Sequence, residues 1–115
     1  MSAGIAWLED RLADVPAALA DRVREAVRAS EATQSVRAMN AASESVSGLL
    51  LDAAVACMTA ALRHGPRRAA AADLLAADAL LTWACEAAVD EGRGRLEALA
   101  VDASRMMAAL PGAAE

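Results

Sequence analysis

An all-α protein, an up-and-down bundle of four to five helices, is the fold class that the sequence predicts, and three observations carry the prediction. Alanine, the strongest helix former, occupies 34 of the 115 positions. Tyr and Phe are absent and only two Trp are present, so the large side chains that favour strands are scarce. The six Gly and three Pro gather at a few sites, which leaves long stretches without a helix breaker.

The first element covers about residues 3–13: Ile5, Leu8 and Leu12 share one face, with Glu9, Asp10 and Asp14 turned away. Pro16 suits the first position of a second helix, in which Leu19, Val23 and Val27 recur every four residues up to about Ala29. Its other face offers Asp21 with Arg24 and Glu25 with Arg28 at i,i+3, the pattern of a solvated surface. Between Ser30 and Ser47, five Ser, Thr33, Gln34 and Asn40 compete for backbone hydrogen bonds, which predicts a break near Ser30 or Ser43. Val36, Met39, Ser43, Val46, Leu50 and Cys57 still keep a 3-and-4 spacing, so a helix is expected from about Glu31 onward, kinked near Gly48.

Residues 49–63 form the first of two central apolar helices. In the Leu49–Leu62 run and the Arg63 that follows it, the polar residues Asp52, Thr59 and Arg63 occupy one narrow stripe, so the helix must be nearly surrounded. His64-Gly65-Pro66 ends it and opens the second central helix, residues 67–90. There Leu74, Leu81, Cys85 and Ala88 lie along one stripe while Leu80 and Trp83 fall well away from it, so more than one side is apolar. After the turn Glu91-Gly92-Arg93-Gly94-Arg95, the residues Leu96, Leu99, Ala103, Met106 and Leu110 follow at 3-4-3-4 spacing before Pro111-Gly112. That is a packing seam about two heptads long.

Residues 1–115 read as a single helical-bundle domain, since this length suits one core and 57% hydrophobic with 23% charged residues excludes a disordered or collagen-like chain. Sixteen Asp and Glu against eleven Arg, with no Lys, give a net charge of −5, which repels phosphate backbones and makes a nucleic-acid partner unexpected. Two Cys are too few for a disulfide framework, and the N-terminus lacks a basic start joined to a long apolar run, so a cytoplasmic location is expected. The Leu49–Leu62 run is 14 residues long and carries Asp52, short of the roughly 20 needed to span a bilayer. No face joins basic residues to bulky anchors, so no membrane partner is expected either.

Two groups of residues are candidates for chemistry. Asp78 lies between Leu74 and Leu81 on the stripe that holds Cys85, where a carboxylate would be desolvated; a helix rotated to bury Ala77, Ala84 and Ala88 would instead leave Asp78 at the rim. Arg63, His64, Arg67 and Arg68 flank the Gly65-Pro66 turn, and with the free N–H groups of a helix start they would suit a small phosphate or carboxylate. His64 is the single His, and no CxxC, HxxxH or Glu-x-x-His spacing occurs, so no metal site and no cofactor are expected. Cys57 lies about two helical turns from His64, too far for a nucleophile pair, and Gly92-x-Gly94 has no strand before it, so neither a thiol catalyst nor a nucleotide loop is indicated.

The leading functional expectation is a small interaction or structural protein that forms a homodimer or packs on a partner protein, with no catalytic motif. Its basis is surplus apolar surface, and the interface residues expected are Leu74, Leu80, Leu81, Trp83, Leu96, Leu99, Met106 and Leu110. The alternative is a bundle that binds or transforms a small anion through Asp78 and the Arg63, His64, Arg67 and Arg68 cluster.

Overall fold

Five helices follow one another among the described residues: α1 (Ala3–Leu12), α2 (Ala17–Arg37), α3 (Val46–His64), α4 (Arg68–Glu91) and α5 (Arg95–Ala108). The structure is a computed structural model that describes residues 3–37 and 45–110, with side chains over 4–33 and 45–110. The all-α bundle expected from the sequence is therefore the fold observed.

The Gly65 turn makes the central hairpin. Its φ of 61° is a conformation that side chains disfavour, and its N–H closes α3 by donating to the Ala61 carbonyl at 3.1 Å. α3 and α4 then pack against each other over most of their lengths. They are antiparallel, because Ser47 at the start of α3 bonds Glu91 at the end of α4, while His64 at the end of α3 bonds Asp73 near the start of α4. Alanine makes the contact close: Ala53, Ala54 and Ala61 of α3 and Ala70, Ala76, Ala77, Ala84, Ala87 and Ala88 of α4 are all buried.

The other three helices complete one core around this hairpin. Ile5, Leu8 and Leu12 of α1, Val23 and Val27 of α2, and Leu99 of α5 join Leu49, Leu50, Leu51 and Leu80 in a single cluster. α3 touches all four other helices, as its apolar perimeter requires. Arg22 of α2 reaches the turn end of the hairpin and Ser30 lies beside Asp52 and Val55, so α2 runs against α3. Arg95 meets Ser47 and Met106 lies beside Val55 and Thr59, so α5 runs in the same sense as α3. The Cα radius of gyration, 13.8 Å, matches the value of about 13 Å for a compact chain of this length.

Two expectations about α2 and α3 need correction. α2 does not break near Ser30 but continues to Arg37: Glu31 and Ala32 are sound helix formers, and Thr33 satisfies its hydroxyl by donating to the Ala29 carbonyl at 3.1 Å. The helix expected from Glu31 through a kink at Gly48 is instead two helices, because Ser45 caps a fresh start by accepting from the Gly48 N–H at 3.0 Å. Met39, Ser43 and Pro111-Gly112, on which parts of that reading rested, lie outside the described residues, as does the side chain of Val36.

The rotation of α4 is the second of the two that its pattern allowed, with Ala77, Ala84 and Ala88 inward and Asp78 outside. Its buried face is Ala70, Asp73, Ala76, Ala77, Leu80, Ala84, Ala87 and Ala88, so Leu74 and Cys85 turn outward, Leu81 sits half-buried at the edge of the core, and Asp78 is exposed. Small side chains face α3 because its leucines already fill the space between the helices. Leu80 and Leu99, expected at an interface, are fully enclosed by the chain's own core. Truncation reads this rotation directly: Leu80→Ala should cost about 2–5 kcal/mol in urea unfolding, whereas Leu74→Ala should shift stability by less than about 0.5 kcal/mol. Equal losses would contradict the packing described.

Candidate functional site

Polar side chains gather at the two ends of the α3–α4 hairpin. At the turn end, Asp73 projects from the alanine face of α4 into the core, with a side chain only 5% exposed. A lone carboxylate there would be costly, and two donors meet it: Arg22 Nε of α2 donates to Oδ1 at 2.7 Å, and His64 Nδ1 of α3 lies 2.7 Å from Oδ2. With Asp73 ionised, His64 must carry its proton on Nδ1 and donate it. Burial alone would raise the Asp73 pKa, but the hydrogen bonds from Arg22 and then His64 outweigh it and hold the carboxyl below the usual aspartate range.

At the opposite end, Glu91 accepts from both the N–H and the hydroxyl of Ser47, at 2.9 and 2.6 Å. The carboxylate thereby caps the first turn of α3 from another helix, where the helix dipole favours negative charge. Arg95 closes the group, donating to Ser47 Oγ at 3.0 Å, Glu91 Oε2 at 3.2 Å and Ser45 Oγ at 2.8 Å. Burial opposes ionisation of Glu91, yet the two bonds from Ser47, with Arg95 beside them, keep its pKa below the ordinary value. α3, α4 and α5 are tied together at this one point.

Two further ion pairs fix α1. Arg24 of α2 grips Glu9 with Nε at 2.8 Å and Nη2 at 3.1 Å, and Arg11 lies over the Trp7 ring at 3.4 Å while donating to Glu86 of α4 at 3.0 Å. The α2 charges predicted to form a solvated face are thus partly interhelical. Arg24 also meets Asp21 at 3.4 Å, as the spacing indicates, but Glu25 turns to Arg22, 3.8 Å away.

The turn cluster read from the sequence is divided by the structure. Arg63, Arg67 and Arg68 are exposed around the turn, and His64 is engaged by Asp73. Asp78 stands on the outer face of α4, about 140° around the helix from Asp73, so it does not join them. Asp73 and Arg22 are the site residues that sequence reasoning missed. A signal was present: Asp73 shares a 3-and-4 spacing with Ala70, Ala77, Leu80 and Ala84, but the reading that buries Ala77 and Ala84 was not extended to Asp73.

Chemically, His64 held by an aspartate has the form of an oriented base. Cys57, about two turns before it on α3, does not supply a nucleophile: it is fully buried, and burial pushes its thiol pKa up, so it remains protonated at neutral pH. Among the described residues no three His, Cys, Asp or Glu side chains converge to hold a metal ion. A groove of about 290 Å³ opens between α2, α3 and α5, lined by Ser30, Thr33, Asp52, Val55, Thr59 and Met106 among others, but its Thr33 and Thr59 hydroxyls donate to their own helices.

A contrasting surface lies on the far side of α4. Leu74 is 56% exposed, Leu75 60% and Val89 63%; Cys85 is exposed and Leu81 and Trp83 are half-buried. Leu74, Asp78, Leu81, Cys85 and Val89 follow at 4-3-4-4 spacing, one continuous stripe. At the rest of the seam, Leu96 is 43% exposed while Met106 and Leu110 are half-buried. By length and composition α3, 19 residues long rather than the 14 of its leucine-rich run, suffices to cross a membrane; its inward residues are packed in the core. No protein-family model, no curated protein and no solved structure matches the chain.

The polar clusters give two stability predictions. Asp73→Asn should cost about 3 kcal/mol at neutral pH, because Arg22 loses its carboxylate in a partly buried setting. Since folding lowers the Asp73 pKa, its contribution is present above the unfolded value and is lost as pH falls, so the gap between wild type and variant should close below about pH 4. A gap independent of pH in urea titrations would contradict the bridge. At the other end, a Cβ at position 48 would lie 2.9 Å from Ser45 Oγ and 3.4 Å from Arg95 Nη2. Gly48→Ala should therefore lower the unfolding midpoint, with a loss of about 1 kcal/mol, instead of gaining the similar amount that alanine brings to a free helix.

Proposed function

We propose that this chain is a small helical interaction protein that docks through the outer face of α4. The observation that carries the reading is the exposed row of Leu74, Cys85 and Val89, flanked by Leu75, with Leu81 half-buried against the core at its edge. Scattered surface leucines need no explanation, but large apolar residues aligned on one helix face form the kind of contiguous patch that marks a binding surface. The core is closed on the opposite side by alanines, so the exposed leucines are not required for packing within the chain.

The polar bridges support this reading by what they do mechanically. Arg22–Asp73–His64 at one end and Ser47–Glu91–Arg95 at the other fix both ends of α4 to its neighbours. A helix held in this way presents its outer face with little entropy left to lose on association. The two thiols are unpaired, in keeping with a reducing compartment such as the cytoplasm.

A photo-cross-linking residue placed at position 74 in the full chain inside cells tests the proposal against one at Thr33, exposed on α2. Discrete protein adducts should form from position 74 and not from position 33. Labelling no greater at 74 than at 33 would overturn the docking role.

A further inference from the structure

Resting on that reading of α4, we infer that the occupant of its outer face is a second copy of this chain, packed with the two α4 helices antiparallel about a two-fold axis beside Leu81. The first support is the order of side chains along the stripe. Reversing one helix about that axis brings Leu74 opposite Val89 of the other copy, sets the half-buried Leu81 side chains on either side of the axis, and places Asp78 near Cys85. Large apolar groups thus meet large apolar groups. The two Asp78 carboxylates then stand about 10 Å apart along the axis, given 1.5 Å of rise per residue. A parallel pairing would put them directly opposite each other.

Charge is the second and independent support. The exposed side chains at the start of α4 are cationic: Arg63, Arg67 and Arg68. At its end, Asp90 and Glu97 outnumber the exposed Arg93, Glu86 being paired with Arg11. Antiparallel packing sets the basic end of one copy beside the acidic end of the other and aligns the helix dipoles favourably, whereas parallel packing would oppose like charges. The stripe's small neighbour, Ala71, leaves room for close approach at either end.

Sedimentation equilibrium of the purified full chain should show a dimer that dissociates on dilution. Leu74→Glu and Val89→Glu alter residues largely in solvent, so each should keep the helical circular-dichroism spectrum of wild type while weakening association roughly a hundredfold. Orientation is read by cross-linking in a Cys85→Ser background. Leu74→Cys and Val89→Cys chains should form a disulfide with each other when mixed and oxidised, and neither should link to itself, since like positions lie well beyond the roughly 7 Å Cα limit. Self-linking of Leu74→Cys would overturn the antiparallel arrangement. A wild-type monomer at every soluble concentration would overturn the inference itself. If position-74 photo-adducts then carry another protein's mass, only the identity of the occupant falls; if there are no adducts, the docking role falls with it.

Discussion

Two helices that face each other with alanines have little side-chain area to bury, so α3 and α4 depend on close approach along their whole length. Each alanine contributes only a methyl group, and α3 supplies three buried leucines, Leu49, Leu50 and Leu51, with Leu80 as the single large buried residue of α4. Once the hairpin is formed, α1, α2 and α5 have a fixed surface on which to place Leu8, Val23, Val27 and Leu99. The rotation of α4 about its own axis follows from the same constraint. Turning its leucines inward would overfill the space that α3 already occupies, and overpacking is itself destabilising.

Polar groups then secure what the small residues hold weakly. Asp73 enters the core at a cost, and the cost is offset only because Arg22 and His64 arrive from two other helices with good geometry. Glu91 caps α3 from the end of α4 in the same spirit, with Arg95 neutralising it. No buried polar side-chain atom among the described residues lacks a partner. Both carboxyls titrate below their ordinary values for this reason, which links the integrity of the two hairpin ends to the ionised state of the protein.

Burying the small face has a direct consequence for the surface. Leu74, Leu75 and Val89 are left outside, with basic residues at one end of the helix and mainly acidic ones at the other. Core packing and surface character are therefore connected through one rotation. The choice that lets α4 sit close to α3 also leaves an apolar stripe that another chain can cover.

Much of the fold was legible in the sequence. Alanine content and the absence of Tyr and Phe pointed to helices, His64-Gly65-Pro66 marked the hairpin turn, and Ile5, Leu8 and Leu12 identified the inner face of α1. The basic turn and the surplus apolar surface were also visible, although the residues of the candidate site were only partly so: His64 was found, while Asp73 and Arg22 were not. Local periodicity determines that a segment is helical and which residues share a face, because those relations lie within a few turns of chain. Tertiary structure alone decided which face of α4 is buried, how far α2 extends, and that Asp73 meets Arg22 across 51 positions. Those outcomes depend on the volume and charge that distant helices present, and no spacing within a single helix records them.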